Sequence, residues 1–345
     1  MKAAKYYGKE DLRIEEVEED DMGPNDVRIE VEACGICGTD LHEYAAGPIM
    51  IPETPVRFGH EFGGTIIEVG AEVSALEAGD NVSVNPIRPC NECTYCEQGL
   101  GNLCDRPVYI GFTSSVGGFA ERIAVAAGAA HKMPDEVPVK YASLIEPLAN
   151  GYYATTVGEV GAGDTAVVFG AGPIGQSIIL CLNAAGATVV LVEPLEARRE
   201  IAADIGVDLM VDPTETDPVE RINEFTDGGG DVTFEVAGVE AAFEAALAVT
   251  KKRGTLTHVA LAEEEYSILP NPLTMQEISL KGVWGYPVAP QSGRSEHFER
   301  VLNMIASGKI DPDPLVTSRI GLDDIDQGFQ ALGEEKTDVK ILVKP

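Results

Sequence analysis

The chain predicts an α/β protein in two parts: a β-rich region and a doubly wound parallel sheet. Three observations carry this. The length of 345 residues suits two domains at roughly 100–200 residues each. The first ~145 residues show short β-like runs at 27–33, 64–69, 81–84 and 121–125, broken by turn residues and with little helical periodicity. From about residue 164 apolar runs alternate with helical patterns, as in a parallel sheet covered on both faces.

In order, the second part reads as strand 166–169, helix 174–185, strand 188–192, helix 195–205, strand 208–211, helix 219–226, strand 232–236, helix 241–251 and strands 254–259 and 278–285. The tail adds a helix at 296–306, a loop, a short helix and a last strand at 341–343. Residues 165–192 carry no charge and are long enough to cross a bilayer. Gly170, Gly172, Gly175, Pro173, Gln176, Ser177 and Asn183 interrupt the stretch, so it reads as the buried centre of a βαβ unit.

The charge narrows the function. The 57 acidic residues against 25 basic ones leave −32, which argues against nucleic acid and anionic membranes as partners, since phosphates need clustered Lys and Arg. A surface this acidic fits a halophilic protein, because net charge governs solubility and salt response. Residues 1–23 are rich in Glu and Asp and lack a basic or apolar leader segment, which predicts a cytoplasmic protein. An odd count of seven Cys then points to metal ligands or free thiols more than disulfides.

Gly170-Ala171-Gly172-Pro173-Ile174-Gly175 is a G-x-G-x-x-G between a strand and a helix, the context that a dinucleotide loop requires. Gly170 allows the tight turn, Gly172 the approach of a pyrophosphate, and Gly175 the packing of helix on strand. The phosphates then meet the helix N-terminus. Glu193, eighteen residues past Gly175, ends the second strand. A carboxylate there accepts from ribose hydroxyls and repels a 2′-phosphate, favouring NAD over NADP. Arg198 and Arg199 follow; they read mainly as cover for the next helix, with Arg198 also a candidate cofactor contact.

Two groups of metal-ligating residues stand in the first part. Cys90, Cys93, Cys96 and Cys104 lie within fifteen residues, the pattern of a closed tetrahedral zinc site that stabilises a loop. The second group is Cys37, Thr39 and His42, then His60 and Glu61, and finally Glu146 in an apolar stretch. Thiolate, imidazole and carboxylate together suit a catalytic zinc with one open position.

On these residues the chain resembles the zinc-dependent medium-chain dehydrogenase/reductase superfamily over essentially its whole length. Gly59-His60-Glu61, the four-cysteine lobe and the glycine loop fall in that family's order and spacing. Residues 37–44, followed by Gly47-Pro48-Ile49, look closest to the butanediol dehydrogenases of its polyol branch. Glu146 separates the chain from liver-type alcohol dehydrogenases, which have Cys there, and Glu146-Pro147 from the Asp-Pro usual in threonine dehydrogenases.

The resemblance implies a GroES-like catalytic domain at 1–148 and 288–345 around a Rossmann domain at 149–287. It implies two zinc ions per chain: a structural one on Cys90, Cys93, Cys96 and Cys104, and a catalytic one on Cys37 and His60. Glu61 and Glu146 would be direct or water-bridged ligands of the latter. Thr39 would relay the proton of the alcohol, and His42 would pass it through the cofactor ribose to water. Val259-Ala260-Leu261 and Trp284-Gly285-Tyr286 would lie against the nicotinamide. The implied activity is hydride transfer between a secondary alcohol or vicinal diol and NAD, in a homo-oligomer (tetramer or dimer). L-threonine 3-dehydrogenase is the alternative substrate reading, and a non-catalytic, zinc-stabilised NAD-binding protein is the alternative of another class.

Overall fold

The computed structural model describes every residue except Pro52, Glu263, Lys336 and Thr337. The chain divides into two units: one of Met1–Glu146, Tyr286–Ser307 and Val316–Pro345, the other of Pro147–Gly285 with Gly308–Leu315.

The first unit is built on a seven-stranded sheet. Its central strand, Asp26–Gly35, buries Val27, Ile29, Val31 and Ala33 in alternation, as a pleated strand with one covered face must. It pairs antiparallel with Glu61–Val69, with Arg122–Ala126 and with Lys340–Lys344, the last through Leu342↔Gly35 and Val343↔Cys34. That pairing joins residues around 35 to residues around 342.

Two elements depart from the sequence reading. The acidic N-terminus forms a hairpin, Lys2–Gly8 with Asp11–Glu16, because Ala4, Tyr6 and Leu12 supply a buried face; Tyr6 stacks on Phe58 at 4.3 Å between ring centroids. Helix Gly38–Ala46 interrupts a region read as all β. The Asp40 carboxylate starts it by accepting the Cys37 backbone N–H at 2.9 Å, satisfying one of the donors that a helix N-terminus leaves without a partner.

In the second unit six parallel strands follow the order 3-2-1-4-5-6: Leu209–Val211, Thr188–Val192, Thr165–Phe169, Gly230–Glu235, Thr250–His258 and Ser279–Gly282. This is the doubly wound dinucleotide-binding topology, whose switch point lies between strands 1 and 4. Residues 165–192 resolve into strand Thr165–Phe169, helix Pro173–Ala185 and strand Thr188–Val192. Among the described residues no helix is long and apolar enough to cross a membrane. Val168 packs towards Ile178, Ile179 and Leu182 of the helix, while Val167 and Phe169 face Phe243, Ala246 and Leu256. The helix expected to reach residue 251 ends at Val249. Thr250 Oγ donates to the Ala246 carbonyl at 2.7 Å, and this β-branched residue begins the next strand.

Candidate active site and metal centres

In the cysteine lobe, Cys93 precedes a one-turn helix, Thr94–Glu97, and Cys104 follows the turn Gly101–Leu103. The four sulfurs converge: Cys93–Cys96 at 3.5 Å, Cys93–Cys104 at 3.9 Å and Cys90–Cys96 at 4.0 Å. A tetrahedron of sulfurs at the Zn–S bond length has edges of about 3.8 Å, close to these three distances, and all four sulfurs lie within 4.8 Å of one another, so the lobe suits zinc. All four thiols are unbridged. Backbone N–H groups already aim at the sulfurs: Cys104 Sγ accepts from Cys90 N at 3.1 Å and from Arg106 N at 3.4 Å. The N–H of Glu92 draws the Cys90 thiol down to about 6, whereas burial pushes Cys96 up to about 12. Such N–H donors support thiolates, the form that binds metal.

The second cluster is assembled from distant segments. Cys37 precedes helix Gly38–Ala46, and His60 and Glu61 stand where strand Glu61–Val69 begins. Their ligand atoms all lie within 4.8 Å of one another. His60 Nδ1 faces Asp40 Oδ1 at 3.3 Å. Burial works against a charge on this imidazole, but Asp40 and the Cys37 sulfur outweigh it and hold the His60 pKa well above its usual value. Glu61 is pinned from behind: Lys340 Nζ donates to Oε1 at 2.8 Å, to Oε2 at 2.6 Å and to the Ile36 carbonyl at 3.0 Å. Both side chains are 1% exposed. Gly35 makes the room, since a Cβ there would come within 2.2 Å of Glu61 Oε2.

Glu146 lies in the first turn of helix Ile145–Gly158 and stands outside the three-residue cluster. Its Oε1 accepts from the hydroxyl of Tyr286 at 3.1 Å. Burial and the Glu146 charge raise the Tyr286 pKa well above its usual value, so the phenol stays a donor.

The donor set suits a cation. Asp40, Glu61 and Glu146 are buried, as is Lys340, and a thiol, an imidazole and a carboxylate converge among them. Buried charges are paired or coordinate metals, and a divalent ion fits between those three ligands. Sulfur, nitrogen and oxygen together are what an open zinc site uses. Thr39 and His42 lie three residues apart on helix Gly38–Ala46, hence on one face. Thr39 is half-buried, with Oγ1 3.7 Å from Cys37 Sγ, and His42 is exposed.

In the glycine loop, Gly170 takes φ +102°, and a Cβ on Gly175 would come within 2.0 Å of the Gly170 carbonyl, so packing demands that glycine. At Gly172 packing makes no such demand: a Cβ would meet nothing nearer than Arg198 Nη1 at 3.9 Å. The space is a cradle at the N-terminus of a thirteen-residue helix whose N-cap has no side-chain partner. Pro173 and Ile174 open that helix. Glu193 follows its strand as expected and is buried. Its Oε2 accepts from Ala171 N at 2.7 Å and its Oε1 from Leu195 N at 2.9 Å, which ties strand end to loop.

The reading of both arginines as helix cover is corrected. Arg199 bonds the carbonyls of Glu193 and Pro194 and pairs with Asp212. Arg198 instead lies over the Gly172 cradle, with a buried Nε that has no hydrogen-bond partner. A dinucleotide phosphate or ribose fits such a donor.

Tyr286, expected against the nicotinamide, presents no side-chain face to a ligand. It is 0% exposed, with its ring 5.3 Å from that of Phe298. Gly285-Tyr286 is a boundary between the units, and the chain turns the ring into the first unit's core. Three partners escaped the sequence reading: Asp40, Lys340 and the hydroxyl of Tyr286. The signal for Lys340 was a cation heading the apolar run Ile341-Leu342-Val343.

The doubly wound unit, the open S/N/O cluster and the closed sulfur site together define a zinc-binding dehydrogenase. Residues 23–135 match the alcohol dehydrogenase GroES-like domain and residues 173–307 the zinc-binding dehydrogenase domain; the chain belongs to this family and is an oxidoreductase. Among its relatives, (R,R)-butanediol dehydrogenase of Bacillus subtilis (strain 168) is 41% identical over 358 residues, covering 100% of both chains. The crystal structure of that species' 2R,3R-butanediol dehydrogenase has a TM-score of 0.92, covering 100% of this chain and 99% of the other at 41% identity. A zinc-binding dehydrogenase of Sinorhizobium meliloti 1021 bound to NADP has a TM-score of 0.92 at 30% identity, covering 100% and 99%. An E. coli CFT073 alcohol dehydrogenase complexed with NADH has a TM-score of 0.90 at 26% identity, covering 100% and 99%.

Proposed function

We propose that the protein is an NAD-dependent dehydrogenase of secondary alcohols and vicinal diols, with 2,3-butanediol as its model substrate and two zinc ions per chain. The observation that carries this is the cluster of Cys37, His60 and Glu61, backed by Asp40 and Lys340. The identity to a butanediol dehydrogenase over the whole chain supports the substrate class.

Cys37, His60 and Glu61 would hold the catalytic metal, with Glu146 a further candidate ligand, and the four cysteines the structural one. When bound, zinc supplies Lewis acidity that lowers the pKa of an alcohol, and the nicotinamide supplies the hydride acceptor. Asp40 orients His60 through Nδ1, leaving Nε2 for the metal side. Thr39 would relay the substrate's hydroxyl proton, accepting it while giving up its own, and His42, exposed on the same helix face, would pass it through the cofactor ribose to water. Gly172 and the helix N-terminus receive the pyrophosphate; Arg198 and Glu193 receive the adenosine ribose. Solved neighbours hold NADP in one case and NADH in another; in this chain the Glu193 carboxylate would disfavour a 2′-phosphate by charge.

The test is initial rates on the 2,3-butanediol stereoisomers, sorbitol and L-threonine, each with NAD and with NADP. The expected result is fastest turnover of a butanediol with NAD, and a cofactor preference that Glu193→Ala narrows. Threonine as the best substrate would replace the diol reading. No turnover by zinc-loaded protein that binds NAD would make this a binding protein.

A further inference from the structure

The glycine turn of the second unit is held from two sides by buried carboxylates. Glu193, after one neighbouring strand, accepts the Ala171 N–H. Glu235 ends the neighbour on the other side, strand Gly230–Glu235, and is fully buried. Its Oε1 accepts from Ala237 N at 2.9 Å and from Gly238 N at 2.8 Å. The loop so held backs the turn. Val236 N donates to the Phe169 carbonyl at 2.9 Å, and a Cβ on Gly170 would come within 3.2 Å of backbone atoms of Val236 and Ala237. Whatever fixes Glu235 therefore fixes the loop on which the turn leans.

The second oxygen of Glu235 departs from this backbone scheme. Both oxygens of Glu193 accept from backbone N–H groups, whereas Glu235 Oε2 is buried with no hydrogen-bond partner among the described residues. What it faces is an imidazole: His258 Nδ1 lies 2.8 Å away, in register on the next strand, Thr250–His258. The two atoms are at contact distance but not aligned for a hydrogen bond, and a buried charge is costly unless it is paired and hydrogen-bonded. The imidazole ring stands edge-on to Phe243 at 5.5 Å and to Tyr266 at 6.4 Å. Tyr266 adds no charge here, because burial and the charges of Glu235 and Glu240 raise its pKa. The His258 side chain is 28% exposed and that of Glu235 0%, so the imidazole can be replaced without emptying the core.

We propose that His258 is a positioning residue for the dinucleotide: its Nδ1–H completes the Glu235 carboxylate, which holds Val236–Gly238 against Gly170 and so fixes the turn that meets the pyrophosphate. The proposal rests on the reading of the glycine loop as the dinucleotide site.

Fluorescence titration with NADH, on full-length zinc-loaded protein, can decide it across His258→Leu, His258→Gln, Glu235→Gln and the double variant of His258→Leu with Glu235→Gln. His258→Leu should raise the NADH Kd by about tenfold, or about 1.4 kcal/mol. The loss should fall on KM for NAD and leave kcat and the alcohol KM nearly as they were. His258→Gln keeps an N–H donor for Glu235 and should stay within about twofold of wild type. In the Glu235→Gln background, His258→Leu should add nothing. Equal weakening by His258→Leu in both backgrounds would mean a direct contact with the cofactor and would overturn the proposal. Equal effects of Leu and Gln at this position would do the same, as would an NADH Kd unchanged in His258→Leu. Should Glu235→Gln fail to fold, hydrogen exchange of residues 236–238 takes its place: it should quicken in His258→Leu and not in His258→Gln, and unchanged exchange in His258→Leu would sink the idea. Wild-type protein that binds neither NADH nor NADPH would defeat the dinucleotide reading itself, and the proposal with it.

Discussion

The cysteine lobe and the Cys37 cluster both gather residues that could hold a metal, but they reach them by opposite routes. The lobe draws four identical donors from fifteen consecutive residues, and backbone N–H groups of that loop brace the sulfurs. The cluster draws three different donors from a helix N-terminus and a strand start, and is braced by Asp40 and Lys340. A site built from one loop can be closed and inert. A site built from many segments can leave a position open, because carboxylates on separate elements adjust independently. Local construction suits stability and distributed construction suits chemistry.

The largest expected effect that would break this comparison is a swap of phenotypes. Cys37→Ser should lower turnover by about 10³-fold or more, since the metal supplies several kcal/mol, with little change in Tm. Cys93→Ala should lower Tm by on the order of 10 °C, because binding at a structural site is folding free energy, while turnover at 25 °C survives. Elemental analysis should show one zinc lost in each. If both variants lost activity and stability alike, the division of labour would be wrong.

A second expectation concerns order of release. A chelator should empty the open cluster at least about ten times faster than the closed lobe, with activity following the first metal and the melting curve the second. Time-resolved metal analysis alongside calorimetry checks this.

Lys340→Met sharpens the electrostatic side. Breaking a buried pair by removing one partner costs about 3–5 kcal/mol, so the metal-free variant should show that loss in urea unfolding. The zinc-loaded variant should lose less, because the cation compensates Glu61. An equal loss with and without zinc would mean that Glu61 does not share its charge with the metal.

The smallest effect separates the surface from both sites. At −32, self-repulsion acts over ~30 Å in about 0.01 M salt and over ~3 Å in about 1 M salt. Tm should therefore rise steadily with KCl, while metal content of both sites, held at short range, stays constant. A flat melting profile would remove the halophilic reading.

What the sequence made legible follows the same divide. The lobe could be read from spacing, and Gly170 to Gly175 from the strand and helix around them. Cys37, His60, Glu61 and Glu146 could be named from residue type and resemblance. Their partners could not, because Lys340 is 279 residues from Glu61 and Tyr286 is 140 from Glu146, and no local periodicity encodes a contact across an inserted unit. The hairpin at residues 2–16 was hidden by its charges: Lys, Arg, Asp and Glu fill most of the positions that are not buried, and four side chains, Ala3, Ala4, Tyr6 and Leu12, make up the buried ones. Helix Gly38–Ala46 was hidden because its capping carboxylate, Asp40, lies among the candidate residues Cys37, Thr39 and His42, which drew the reading towards a metal site and away from a helix start.

The strand pairing that carries Lys340 to Ile36 and Glu61 also fixes when the cluster can be completed during biosynthesis. At about 5–20 residues per second, the ribosome needs roughly 15–60 s to travel from Glu61 to Lys340, separated by 279 residues. For that time Cys37, His60, Glu61 and later Glu146 exist as an acidic, thiol-bearing segment without its ammonium, while all four cysteines of the lobe have been made early in the interval. On the proposed two-zinc reading, the four cysteines would be complete long before the Cys37 cluster has its ammonium, so the inserted unit would act as a timer between the two metallations.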